Sequence, residues 1–182
     1  MVNLLAVIAI VTNIGFTVAF DTERRQPSWV SYSLEPDEVI LSRRLPYRFS
    51  ADPRFPESDV RTDYLHSGYD RGHMAPAADF NWSTNALGET YYFSNICPQV
   101  PTLNRGRWRE IEEEVREFAK SGTVYVVTAP LGYGTNECGR LPVPERFAKV
   151  AYGWFGFRVY IEENKNKANE GTNCNEKVGI GR

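Results

Sequence analysis

Ser67-Gly68-Tyr69-Asp70-Arg71-Gly72-His73-Met74-Ala75-Pro76 is the stretch on which the reading of this chain turns. Asp70–His73 reads as an extended segment that Pro76 ends, since the residue before a proline is pushed out of the helical region. Side chains alternate along an extended chain, so Arg71 and His73 project to one side. A guanidinium and an imidazole therefore share a face, with the backbone-permissive Gly72 between them.

Outward from this run the chain alternates loops with short periodic segments. Residues 45–69, with Pro46, Pro53, Pro56, Ser58, Asp59 and Gly68, read as a long loop, and long ordered loops in compact domains tend to be functional. Downstream, 83–90 is expected as a brief helix capped by Ser83. Tyr91–Asn95 has strand composition, and Pro98 and Pro101 hold an extended connection. Asn104 to Lys120 reads as a helix, with Trp108, Ile111, Val115 and Phe118 on its apolar face and Gly122 as its stop. Thr123–Thr128 is a near-continuous apolar strand, expected in the middle of a sheet. Phe147–Tyr152 and Phe155–Ile161 supply two more strands.

Before the motif, residues 14–34 read as a hairpin on a period of two through Ile14, Phe16, Val18 and Phe20, followed by a short strand at Glu38–Ser42. Residues 1–13 are expected as a leader. Leu4 to Val11 is apolar enough for a signal segment and too short to span a bilayer, which suggests export to a secreted or periplasmic location. Residues 162–182 form a polar, Asn- and Lys-rich tail expected to fray. The folded domain is placed at 14–161. The class is α+β, a mixed and mostly antiparallel sheet with one long helix.

The chain has 182 residues, 42% of them hydrophobic and 24% charged, in keeping with one folded domain. The net charge of −2 lacks the basic footprint of a static polyanion binder. It weighs less against an enzyme that works through a local patch and a metal. Three cysteines, Cys97, Cys138 and Cys174, make an odd count, with Cys138 and Cys174 as a candidate pair in an oxidising compartment.

The residue types around the motif suit phosphodiester hydrolysis, which needs a base, a cation for developing charge and help for the leaving oxygen. His73 is the candidate base, because an imidazole pKa of about 6.5 leaves it largely neutral at cellular pH. Arg71 can grip a phosphate oxygen. Asn104 offers one neutral oxygen to a hard cation, which suits magnesium because that ion keeps most of its waters. Asn104, Trp108, Glu112 and Arg116 are four apart and form one helix ridge. Along it Glu112 can orient waters of a metal and Arg116 can hold a flanking phosphate. Arg105, Arg107 and Arg109 make the start of the helix basic. Each feature has a plainer reading: a structural histidine, a solvated helix face, an Asn serving only as a helix cap.

The ordered set Ser67–Phe80, Ser94-Asn95-Ile96-Cys97-Pro98-Gln99 and Leu103-Asn104-Arg105-Gly106-Arg107-Trp108 resembles the signature of the DNA/RNA non-specific endonuclease family. The opening run Gln26–Tyr32 resembles that family's first strand. The resemblance implies a ββα-metal fold, in which two strands and a helix clasp a magnesium ion, with manganese as a substitute. It implies His73 as general base, Asn104 as the direct metal ligand, and Arg71, Asn95, Glu112 and Arg116 as supporting residues. Arg48 is the candidate for a further upstream, substrate-touching arginine, and Arg105 for another phosphate contact. DNA and RNA are the expected substrates, with a homodimer and an inhibitor protein left open as partners. The alternative is a nucleic-acid-binding protein on an inactive nuclease scaffold. A zinc module built on His66, His73 and cysteines has a poor ligand pattern.

Overall fold

In the computed structural model, residues 8–39 and 47–165 are described. Their frame is a six-stranded antiparallel sheet in the order β1-β2-β3-β6-β7-β8, with β1 Ile8–Thr12, β2 Phe16–Asp21, β3 Gln26–Leu34, β6 Val124–Cys138, β7 Leu141–Gly153 and β8 Gly156–Glu163. A separate two-stranded ribbon joins β4 (Asp70–His73) to β5 (Ile96–Gln99). The helices are α1 (Thr84–Glu89) and α2 (Trp108–Ala119).

Alternation in the sequence decides which sheet face is dry. Val18, Phe20, Val30, Tyr32, Leu34, Val124, Val126, Phe147 and Ala151 are all buried, and α2 lays Trp108, Ile111, Val115 and Ala119 into the same core. The Trp108 and Phe147 rings meet at 5.7 Å. The opposite face carries Tyr125, Val127, Tyr152, Phe157, Val159 and Ile161, all exposed. The run Thr123–Thr128 is therefore interior to the sheet, as expected, but wet on one side, so its apolar continuity does not mean double-sided burial.

Several segments differ from expectation. Ile8–Thr12, expected within a leader, is a sheet strand registered from Ile8↔Asp21 to Thr12↔Thr17. At the other end Glu162 and Glu163 belong to β8, and Asn164 is buried. Its side chain accepts from Val100 N (2.8 Å) and donates to the carbonyls of Pro98 (3.0 Å) and Pro144 (2.9 Å). Glu38 and Val39 lie in a turn, while Ile40 to Ser42 of the expected strand lie outside the described residues, as does Cys174. Cys138 is buried, its thiol donating to the carbonyl of Asp63 at 3.3 Å. Phe93–Asn95 is a 3-10 turn and not a strand. Phe93, Ser94 and Asn95 are all buried, which no strand on a half-wet sheet could arrange.

The expected helix from Asn104 is broken. Leu103–Arg107 form a wide turn in which Gly106 leaves helical geometry (φ −109°, ψ −113°), and α2 runs straight from Trp108. Asn104 is therefore not in line with the ridge of Trp108, Glu112 and Arg116. Ser83 caps α1 as expected, its hydroxyl accepting from Ala86 N at 3.3 Å.

Candidate active site

The ribbon and the wide turn after it build the site. In β4–β5, Asp70 faces Gln99 and Gly72 faces Cys97. The Gln99 side chain lies across the bare Cα of Gly72, where a Cβ would stand 2.3 Å from Oε1 and 2.9 Å from the Gln99 Cβ. A glycine is required here by space. Its backbone φ plays no part.

Arg71 and His73 emerge together, as the alternation requires. The Arg71 guanidinium sits 5.2 Å from the Phe49 ring centre and 5.6 Å from that of Tyr64. Its Nε is buried without a hydrogen-bond partner. His73 packs against the same Phe49 ring at 5.3 Å and edge-on against Tyr91 at 5.2 Å, and its Nε2 is likewise buried and unpartnered. Burial among these rings lowers the imidazole pKa to about 4, so the ring is neutral and able to accept a proton.

Phe49, Tyr64, Tyr69, Asp70, Arg71 and Asn104 line one open cavity of about 280 Å³. Asp70 fixes Asn104, whose Nδ2 donates to Asp70 Oδ2 at 2.9 Å. This defines the amide's orientation and leaves Oδ1 as its ligand end. Arg105 clamps the same carboxylate through Nε (2.7 Å) and Nη2 (2.6 Å). These donors hold the Asp70 carboxyl below its usual range against the desolvation that opposes them. Among the described residues no cluster of three His, Cys, Asp or Glu could hold a metal. The donors here are a single amide oxygen beside a carboxylate. That set fits a hard, largely hydrated dication and does not fit zinc.

Other expected site residues lie elsewhere. Asn95, expected to touch substrate, is fully buried, with its amide committed to backbone: Oδ1 accepts from Ala75 N, and Nδ2 donates to the carbonyls of Ala75 and Thr90, all at 2.9 Å. It staples the turn after β4 to the turn before β5, so its effect on the site is indirect. Arg48 is exposed. Arg116 is directed inward to Asp79 at 2.7 Å, and Glu112 belongs to the same group, with Asp79, Arg116, Lys149 and Tyr32 as its charged and polar neighbours. These two residues do not line the cavity.

Asp70, Asp79, Lys149 and the aromatic walls Phe49 and Tyr64 were not singled out as site residues by sequence reasoning. Only Lys149 leaves a clear trace. In Phe147-Ala148-Lys149-Val150-Ala151 it occupies an inward position, flanked two residues away by buried Phe147 and Ala151.

With the geometry in hand, the comparisons with known proteins are direct. A sequence profile of the DNA/RNA non-specific endonuclease family matches residues 6–177. A frog (Xenopus laevis) protein named nuclease EXOG, mitochondrial, is 40% identical over 127 residues, covering 68% of this chain and 36% of its own length. Human endonuclease G, mitochondrial, is 31% identical over 172 residues, covering 82% of this chain and 58% of its own. This chain thus spans between about a third and three fifths of these two relatives. A solved EndoG/EndoGI complex, which reports how EndoG is inhibited, superposes with a TM-score of 0.78 at 28% identity, covering 91% of this chain and 78% of that one. The mitochondrial names of the relatives overturn the expectation of export, which rested on a short apolar run that in fact supplies strand β1. The motifs, the ribbon-and-helix site and the match across nearly the whole chain lead to one conclusion: the chain belongs to the DNA/RNA non-specific endonuclease family.

Proposed function

We propose that this chain is a metal-dependent endonuclease that hydrolyses phosphodiester bonds of DNA and RNA, with His73 as general base and one magnesium ion held by Asn104. The observation that carries this reading is the buried, unpartnered Arg71 Nε at a cavity that Asn104 also lines, with the equally unpartnered His73 Nε2 on a ring packed against the same Phe49 wall. A buried polar atom without a partner is costly, and a substrate phosphate with its attacking water would satisfy both.

In this mechanism the neutral His73 takes the proton of the attacking water. Arg71, stiffened between Phe49 and Tyr64, pairs with a phosphate oxygen as negative charge grows. Asp70 holds the Asn104 amide so that its oxygen faces the ion. Arg105 supports that carboxylate and presents the rest of its guanidinium to a neighbouring phosphate. A bound magnesium or manganese ion supplies charge for the developing oxyanion and eases departure of the leaving oxygen. Glu112, one turn beyond Trp108 on α2, would orient water around such an ion, and Arg116 holds Asp79 beside it. Contacts of this kind are to phosphates, which carry no sequence information, so cleavage is sequence-tolerant. The mitochondrial relatives suggest the same compartment for this chain, and the EndoG/EndoGI complex suggests an inhibitor protein as a partner.

The test is cleavage of plasmid, single-stranded DNA and RNA by the wild type, His73→Ala and Asn104→Ala, with and without chelator. Loss of cleavage in chelator and at least a hundredfold loss in His73→Ala are expected. Binding without cleavage in every divalent ion would favour an inactive scaffold, and an unimpaired His73→Ala would remove histidine as the base.

A further inference from the structure

Lys149 is fully buried in the sheet, facing α2. Its ammonium donates to Thr128 Oγ1 at 2.7 Å and lies 5.0 Å from the Trp108 ring centre and 5.9 Å from that of Tyr32. Glu112 sits one turn beyond Trp108 on the same ridge, and Arg116 one turn beyond that, bound to Asp79 at 2.7 Å. Two carboxylates and two cations thus share one layer between α2 and the sheet, with Asp79 and Lys149 buried and Glu112 and Arg116 half-buried. The groups facing Glu112 are Lys149 from β7, Asp79 from the turn after β4, Tyr32 from β3, and Arg116 and Glu113 on its own helix.

The two acids are held differently. Asp79 receives a hydrogen bond from Arg116 at 2.7 Å. Burial pushes the Glu112 carboxyl up to about 7, and the charges of Lys149 and Arg116, Lys149 first, oppose that rise. A buried charge pair gives little net stability compared with apolar residues of the same volume. Packing therefore does not account for a lysine where methionine or leucine would fill the space. A need for a charged Glu112 does account for it.

We infer that Lys149 is a positioning residue of the nuclease site, its buried ammonium beside Trp108 favouring the charged form of the Glu112 carboxylate one turn further along α2. The inference rests on the role proposed above for Glu112. Without Lys149 the layer holds two acids and one cation, and Glu112, which lacks the hydrogen bond of Asp79, is the acid that takes up a proton.

The experiment compares wild type, Lys149→Met, Lys149→Arg, Glu112→Gln and the double variant Lys149→Met/Glu112→Gln. In metal-free protein carrying ¹³C-carboxyl glutamate, the resonance lost in Glu112→Gln identifies Glu112. Its titration is expected to move to higher pH in Lys149→Met and to return toward wild type in Lys149→Arg. In cleavage, Lys149→Met is expected to lower kcat about 10- to 100-fold with KM for plasmid little changed, as removal of groups that support a metal site commonly does. The double variant should be no slower than Glu112→Gln alone. An unmoved Glu112 titration overturns the inference, and so does a double variant slower than Glu112→Gln by the full single effect of Lys149→Met. If Lys149→Met does not fold, the charge-free double variant against Glu112→Gln still decides, with any further loss counting against Lys149. A fully active Glu112→Gln would refute the catalytic role of Glu112 and leave the titration to judge the Lys149 contact by itself.

Discussion

Gly72→Ala is the sharpest probe of the site, because the side chain it would strike belongs to the ribbon itself. The new Cβ would meet Gln99 Oε1 at 2.3 Å, Cδ at 2.7 Å and Cβ at 2.9 Å. Carbon contacts settle near roughly 3.5 Å or more. The amide end must therefore retreat by roughly 1 Å, and the Gln99 Cβ, which cannot swing away, by roughly half that. Gln99 is fully buried and has nowhere to retreat. The strands part instead, carrying Arg71 and His73 with them. Overpacking of this kind costs about 1–3 kcal/mol, and a shift of roughly 1 Å in reacting groups lowers turnover about a hundredfold. Urea unfolding and plasmid cleavage measure the two effects on one preparation. Gln99→Ala should then relieve the larger part of both, because it removes the two closest contacts and leaves only that of the Cβ, and the amide has no partner whose loss would offset the gain in space. Wild-type rates in Gly72→Ala, or no recovery in Gly72→Ala/Gln99→Ala, would refute the claim that this glycine is there to admit Gln99.

Two further predictions concern charge. His73 has its folded pKa lowered to about 4 from the usual 6.5, so the unfolded chain binds the proton more readily between these values. The stabilisation is complete above pH 6.5 and is lost as pH falls toward 4. Its ceiling is about 3 kcal/mol, reduced because an edge of the ring remains in contact with water. Metal-free wild type and His73→Gln compared by urea unfolding at pH 7 and 4.5 should diverge by that loss, and equal pH dependence in the two would sink the assignment. For Asp70→Asn, Asn104 loses the carboxylate that orients it, and manganese affinity by titration calorimetry should fall about tenfold or more. Arg105→Ala, which removes an exposed partner of the same carboxylate, should change that affinity only a few-fold. The reverse order would mean that Arg105, and not Asp70, sets the ligand.

How much of this was legible in the sequence depended on whether a local rule governed the segment. The strand Asp70–His73, the Ser83 cap and the helix face of Trp108, Ile111 and Val115 follow from alternation, hydrogen-bond capping and helical period, and all are present. Tyr91–Asn95 was misleading because aromatic composition reports a half-buried surface, whereas Phe93–Asn95 pack as a buried turn. Gly106 was read as part of a helix, yet the same residue lets the chain break and swings Asn104 to Asp70. Asn95 looked like a contact for substrate because a buried amide and a binding amide are the same letter; only its three backbone partners distinguish them. Lys149 is the converse, a charged residue that the sequence reading passed over although it stands in register with buried Phe147 and Ala151.

Asn164 has a practical bearing on handling the protein. One amide joins the end of β8 to Val100, four residues before Asn104, and to the carbonyls of Pro98 and Pro144. Asn164 is thus a latch on the approach to Asn104. A cut after Glu163 would release the latch and slacken a site that lies far away in sequence, so inactivity in such a trimmed protein would report a lost fastening and not a lost catalytic group.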